Sequence, residues 1–218
     1  MLDLFDGPKV LLIVGAKKYK LPKRLACRSS TFLSSAFNGP FKEGETQELM
    51  LKDTTADAFE LVIQWIYTGN LVLPAIVQTD TDAISRILDF LNAADFLDLD
   101  GNPYPAVVEE LKARLIKSRE ALNSAHIIKA MALPSEHTTR KVIMQACIGL
   151  YFISLGASWT YERHYTTSMF PFKFDKELTQ VDGFAADLFR LCDEVRRTKD
   201  SSWGSVKDPL TGSTIYNA

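Results

Sequence analysis

Strand-like runs in this chain are confined to its first third, at Lys9–Val14, Lys18–Leu21 and Gln47–Leu51, and beyond Thr54 the apolar residues recur at helical spacing. Three strands so short cannot make a doubly wound sheet, which needs a long alternation of strand and helix. They can make only a small sheet packed on a larger cluster of helices. The fold class this implies is α+β.

The details support that division. Lys9–Val14 is β-branched and aliphatic and stops at Gly15, as a strand buried on both faces would. Lys18-Tyr19-Lys20-Leu21 alternates polar and apolar, the pattern of a half-buried strand. Pro22 suits the first position of a helix, where its missing N–H costs nothing. That helix holds Leu25 and Ala26, and a second one carries Phe32, Leu33, Ala36 and Phe37 until Asn38-Gly39-Pro40 stops it. Thr54 and Asp57 resemble a capping box for a helix striped by Phe59, Val62, Ile63 and Ile66 and closed by Gly69. Thr79 and Asp82 open another, striped by Ile84, Ile87, Leu88 and Leu91. After the break at Asp100-Gly101-Asn102-Pro103 come stripes at Val107, Val108, Leu111 and Leu115, then at Leu122, Ala125, Ile128 and Met131. Past Pro134 a helix is expected from Glu136 to Leu155.

The last part of the chain has a different character. Trp159–Phe174 is aromatic without a steady period and reads as an ordered loop packed on the body. Asp175–Arg197 reads as one helix with Leu178, Val181, Ala185, Leu188, Cys192 and Val195 three and four apart. Docking back on the body suits it better than a coiled coil, because Gly183, Ala185 and Cys192 would make a weak seam. Beyond Asp200 the Ser, Gly, Asp and Pro content predicts disorder.

Composition narrows the function. Lys and Arg number 25 against 27 Asp and Glu, a net charge of -2 with no basic surplus, so nucleic acid is not an expected partner. Val142–Trp159, the longest apolar stretch, is broken by Gln145, Gly149, Ser154, Gly156 and Ser158, too often for a membrane span. Cys27, Cys147 and Cys192 lie far apart, and Met1–Asp6 lacks the basic start of a secretory signal. Cytoplasm or nucleus is the expected setting. His126, His137 and His164 lack metal-ligand spacing and read as structural, His126 at a buried boundary and His137 on the surface of a first helical turn. Gly15-Ala16-Lys17-Lys18 lacks the second glycine and the Lys-Ser/Thr pair of a phosphate loop. Trp65 and Tyr67 read as packing residues. No catalytic, cofactor or metal residue is expected.

Several stretches together resemble one family, the BTB/POZ domains. Val10–Gly15 with Tyr19-Lys20-Leu21 resembles the family's opening hairpin, and Leu25–Phe32 resembles its leucine, arginine-serine, phenylalanine stretch across the first helix pair. Phe59 through Trp65-Ile66-Tyr67-Thr68-Gly69 to Leu71 resembles its tyrosine-threonine-glycine helix end, and Ala93–Leu97 its alanine-aspartate segment. The match runs over roughly residues 8 to 118 and is most similar to the stand-alone BTB proteins abundant in filamentous fungi.

The resemblance implies a BTB/POZ-like interaction domain over 1–118, and the patterning beyond it implies a helical extension over 119–157, an aromatic loop and amphipathic helix over 158–199, and a disordered tail over 200–218. It implies protein partners. Phe41-Lys42-Glu43 fits the family's hydrophobic-x-glutamate contact with the cullin scaffolds of ubiquitin ligases, which makes a substrate adaptor one reading. A homo- or hetero-oligomeric or transcription-associated scaffold with no ubiquitin role is the alternative, and an enzyme of unrecognised class the remaining one. Leu25, Phe32 and Phe37 would lie on the family's dimer face. Where many members carry an aspartate and a histidine, however, this chain has Lys9 and Pro22, keeping only Lys23. It also has few residues ahead of its first strand. Self-association, or pairing with another BTB protein, is therefore expected to be weak, giving a monomer or weak dimer.

Overall fold

The structure, a computed structural model, describes residues 4–101, 104–156, 171–197 and 205–216. The chain divides into two compact units between Val107 and Val108. That division falls in the first turn of a helix, Pro105–Lys117 (α6).

In the first unit, β1 (Lys9–Val14) and β2 (Lys17–Pro22) form an antiparallel hairpin turned at Gly15, whose φ of 58° favours glycine. β3 (Glu48–Leu51) lies parallel to β1 on its other side, giving the order β2-β1-β3. Between β2 and β3 the chain passes through α1 (Lys23–Ser29), α2 (Thr31–Asn38) and α3 (Lys42–Thr46). Two longer helices follow, α4 (Ala56–Thr68) and α5 (Asp80–Phe96). One face of this sheet is the buried one. Val10, Leu12, Val14, Leu21, Leu49 and Leu51 on that face are buried, while Leu11 and Ile13 opposite are half-exposed. The expectation that β1 is buried on both faces is corrected accordingly.

Local chemistry shifts two helix starts. Pro22 ends β2 rather than opening α1, because its ψ of 126° is extended and it pairs with Lys9 across the hairpin. Thr55, not Thr54, caps α4 by accepting from Ala58 N, and Asp57 is drawn instead to Arg86 at 2.6 Å. Thr79 caps α5 as expected, accepting from Asp82 N.

A polar clip joins distant parts of this unit. Ser30, fully buried between α1 and α2, accepts from Leu33 N at 3.0 Å as the cap of α2 and donates to Leu97 O beyond α5. Flanking backbone groups follow: Thr31 N donates to Asp98 O at 3.2 Å and Asp100 N to Ser29 O at 2.9 Å. Beyond the clip, Tyr104 is buried with its hydroxyl donating to Leu99 O at 2.9 Å. Its ring lies 5.3 Å from Trp65 and 5.6 Å from Phe90, centroid to centroid. Trp65 is therefore a packing residue, as expected. Tyr67 is 43% exposed and rests on Phe5.

The second unit contains α7 (Ser124–Met131) and α8 (Thr138–Gly156), together with α9 (Glu177–Gln180) and α10 (Phe184–Arg197). The single helix expected over Asp175–Arg197 is broken at Val181–Gly183. Gly183 adopts φ 77°, and a side chain there would crowd the Arg140 guanidinium. In place of a heptad seam, α10 buries Phe184, Leu188, Leu191, Cys192 and Val195 and packs on α8. The broken helix thus docks within its own unit.

Residues 205–216 form a hairpin, β4 (Ser205–Lys207) and β5 (Thr214–Tyr216), where disorder was expected. Its anchor is Asp208, buried, which pairs with Arg119 at 2.5 Å and accepts from Leu210 N at 3.0 Å. The Arg119 guanidinium lies against Gly149 on α8, where any side chain would overlap it. A sparse, polar composition was misleading here because one buried ion pair fixes the segment. The aromatic stretch 157–170 lies outside the described residues, although Phe172 and Phe174 just after it are buried.

The clip generates a prediction. Ser30→Ala removes the cap of α2 and the donor to Leu97 O together, so urea unfolding should show a loss of about 2 kcal/mol. A loss below about 0.5 kcal/mol, the scale of an ordinary surface substitution, would contradict the role assigned to Ser30.

Candidate functional site

Phe41 ends the turn that follows α2, and Lys42 and Glu43 begin the short helix α3, an element not expected from the sequence. Phe41 itself is the N-cap of α3 and 59% exposed, a large apolar ring held in solvent. Three features hold it there. Gly39 and Gly44 approach so closely that a side chain on Gly44 would overlap the Gly39 carbonyl oxygen, and the Phe41 ring lies over Gly39. The backbone closes the turn, with Gly44 N donating to Phe41 O and Gln47 N to Glu43 O, both at 2.9 Å. Gln47 then reverses the chain at φ 56° and donates from Nε2 to Phe37 O at 3.2 Å and to Gly44 O. Lys42 is exposed and Glu43 half-exposed. The three residues are therefore presented together on a turn that the backbone has already ordered, which lowers the entropic cost of binding.

The expected dimer face fares differently. Leu25 and Phe37 are 5% and 1% exposed, so both belong to the core and leave no apolar patch of their own on the surface. Phe32 is half-exposed, its ring 5.1 Å from that of Phe96 on α5, which is 45% exposed. Helical spacing put Leu25, Phe32 and Phe37 in similar contexts, and only their burial in the folded chain separates them.

His126 and His137 are both buried, which corrects the surface position expected for His137. His126 Nδ1 accepts from Asn123 N and completes the capping box of α7, while His137 Nδ1 accepts from Thr139 N, each at 3.2 Å. His164 lies outside the described residues. Among the described residues no cluster of His, Cys, Asp and Glu could hold a metal, and no helix is long and apolar enough to cross a membrane. The cysteines are free thiols. Burial raises the pKa of each, with nearby Lys23, Arg119 and Arg196 offsetting it only in part.

A groove of about 840 Å³ runs along α4, lined by Gln64, Val72, Leu73, Pro74 and Ile76. Its rim carboxylates are already engaged. Hydrogen bonding to Arg86 holds Asp57 below the usual carboxylate range, and Lys17 at 2.8 Å does the same for Glu60. Such pairing at an open surface suits contact between proteins better than proton transfer.

Residues 6–102 match the family model for the BTB/POZ domain. Among solved structures the chain is similar to the BTB domain of zebrafish PATZ1, at 20% identity over 50% of this chain and 75% of that one, with a TM-score of 0.34. No curated protein matches. Residues 6–102, with their short three-stranded sheet and helix cluster, are a BTB/POZ domain, which is a protein–protein interaction module.

Sequence spacing did not expose the parts that support Phe41. The Gly39 and Gly44 pair was the available signal, since two glycines flanking an aromatic imply a close backbone approach. Gly44→Ala, usually stabilising inside a helix by about 1 kcal/mol, should here destabilise. A melt of the full chain that rises on this substitution would contradict the packed turn. Cys27, the most accessible thiol, should alkylate with iodoacetamide more slowly at neutral pH than cysteine in an unstructured peptide, because a raised pKa means less thiolate. Faster alkylation, followed residue by residue by mass spectrometry, would mean that Cys27 is activated.

Proposed function

We propose that this protein is an adaptor that bridges a cullin scaffold and a client protein, with Phe41 and Glu43 as the scaffold contact. The observation that carries this reading is the exposed Phe41 ring on a turn fixed by Gly39, Gly44 and Gln47. Binding energy at interfaces concentrates on few residues, and a preordered aromatic beside a carboxylate has the make-up of such a hot spot. The resemblance of Phe41-Lys42-Glu43 to the family's cullin-contacting triplet supplies the partner class. Client binding would then fall to a different surface.

A scaffold that assembles with itself or with another BTB protein is the second reading, favoured by the accessible Phe32 and Phe96 pair. With Leu25 and Phe37 committed to the core, that contact is small and the self-association weak.

Tagged full-length protein and its Phe41→Ala, Glu43→Ala double variant should differ at least about tenfold in the cullin they recover from cells, while their melts nearly coincide. Equal recovery by both proteins would remove the adaptor reading and leave the scaffold.

A further inference from the structure

We infer that the outward face of the three-stranded sheet is a docking surface for an acidic amphipathic segment of another protein. The register defines the face. Lys20, Leu11 and Glu48 form one row across β2, β1 and β3, and Lys18, Ile13 and Met50 form the next. Residues paired in this way point to the same side of a sheet, opposite the buried one. Lys9 extends the face along β1. Met50 is 58% exposed, and Leu11 and Ile13 are half-exposed, so an apolar strip lies open where strand alternation would ordinarily put polar residues.

Charge selects the occupant. The first unit carries ten Lys and Arg against fourteen Asp and Glu, yet this face presents Lys9, Lys18 and Lys20 against Glu48 alone. Among the described residues no carboxylate forms an ion pair with any of these three lysines, whereas Lys17, on the opposite side of the hairpin, pairs with Glu60. Unpaired cations beside an open apolar strip attract a segment that offers carboxylates next to apolar side chains. The face is also polarised, with Lys18 and Lys20 on the β2 flank, Lys9 on the central strand and Glu48 on the β3 flank. A uniformly anionic lipid surface would be repelled along the β3 flank, while a peptide with one acidic edge fits. Adjacent strands lie about 4.8 Å apart, so the two rows are about 10 Å wide, the width of a single segment.

The test titrates the full chain into a fluorescein-labelled peptide of alternating glutamate and leucine between glycine-serine ends, read by anisotropy. A second peptide has lysine in place of glutamate. The glutamate peptide should bind with an affinity that falls as salt rises, and the lysine peptide should not bind. Lys18→Glu with Lys20→Glu should raise the Kd at least about tenfold, as should Met50→Asp in its own right, while Lys176→Glu, which alters net charge elsewhere, should not. Coincident melts establish that the variants are folded. Equal affinity for both peptides, or a Kd unmoved by the sheet substitutions, would overturn the inference. So would failure to bind the peptide combined with lysine-dependent sedimentation on phosphatidylserine vesicles, which would reassign the face to a membrane.

Discussion

A single buried hydroxyl ties the corner between α1 and α2 to the end of α5. Ser30 sits where α1 turns into α2, and it both starts α2 and fastens that corner to the backbone just after α5. A buried hydroxyl is costly unless both its donor and its acceptor capacity are used, so the site tolerates little displacement of either partner. Elements far apart in sequence are thereby brought into one register. The loop from Leu97 to Asp100 in turn carries the chain to Tyr104, whose burial against Trp65 and Phe90 closes the helix cluster.

The surfaces follow from that framework. With Val10, Leu12 and Val14 turned into the core of this unit, the residues between them face the other way, which leaves Leu11 and Ile13 half-exposed and Met50 exposed among the described residues. With α2 anchored at its start by Ser30, its end fixes where Gly39 and Gly44 meet and hence where Phe41 stands. The two features face different demands. One is an aromatic on a tight turn, suited to a pocket in a rigid partner, and the other a broad, charged and mildly apolar face, suited to an extended one. An adaptor needs two such unlike surfaces on one small domain.

Much of this was legible in the sequence, and the failures have physical causes. The hairpin, β3, the stripe of α4 and the Thr79 cap declare themselves locally, because periodicity and capping depend on neighbours a few residues away. Whether Leu25, Phe32 or Phe37 reaches solvent depends on what packs over them from elsewhere in the chain, and spacing alone cannot supply that. Gly183 illustrates a signal outweighed: the heptad count favoured continuity, yet one residue at φ 77° was enough to break the helix. Residues 205–216 illustrate a signal that was never local. Their order depends on Arg119 and on the absence of a side chain at Gly149, neither of which composition near the C-terminus reveals. Phe41-Lys42-Glu43 was found through resemblance, whereas the glycines and Gln47 that display it emerged only from the backbone.

The turn that displays Phe41 is already ordered in the free chain, so a cullin proposed to dock there should leave its mark on those residues. Amide hydrogen exchange on the full chain, with and without the purified N-terminal region of a cullin, measures this directly. New protection should concentrate over residues 39–47, with little change in the exchange of α8 and α10. Protection that appears elsewhere while this turn exchanges as before, or no protection at saturating cullin, would contradict it.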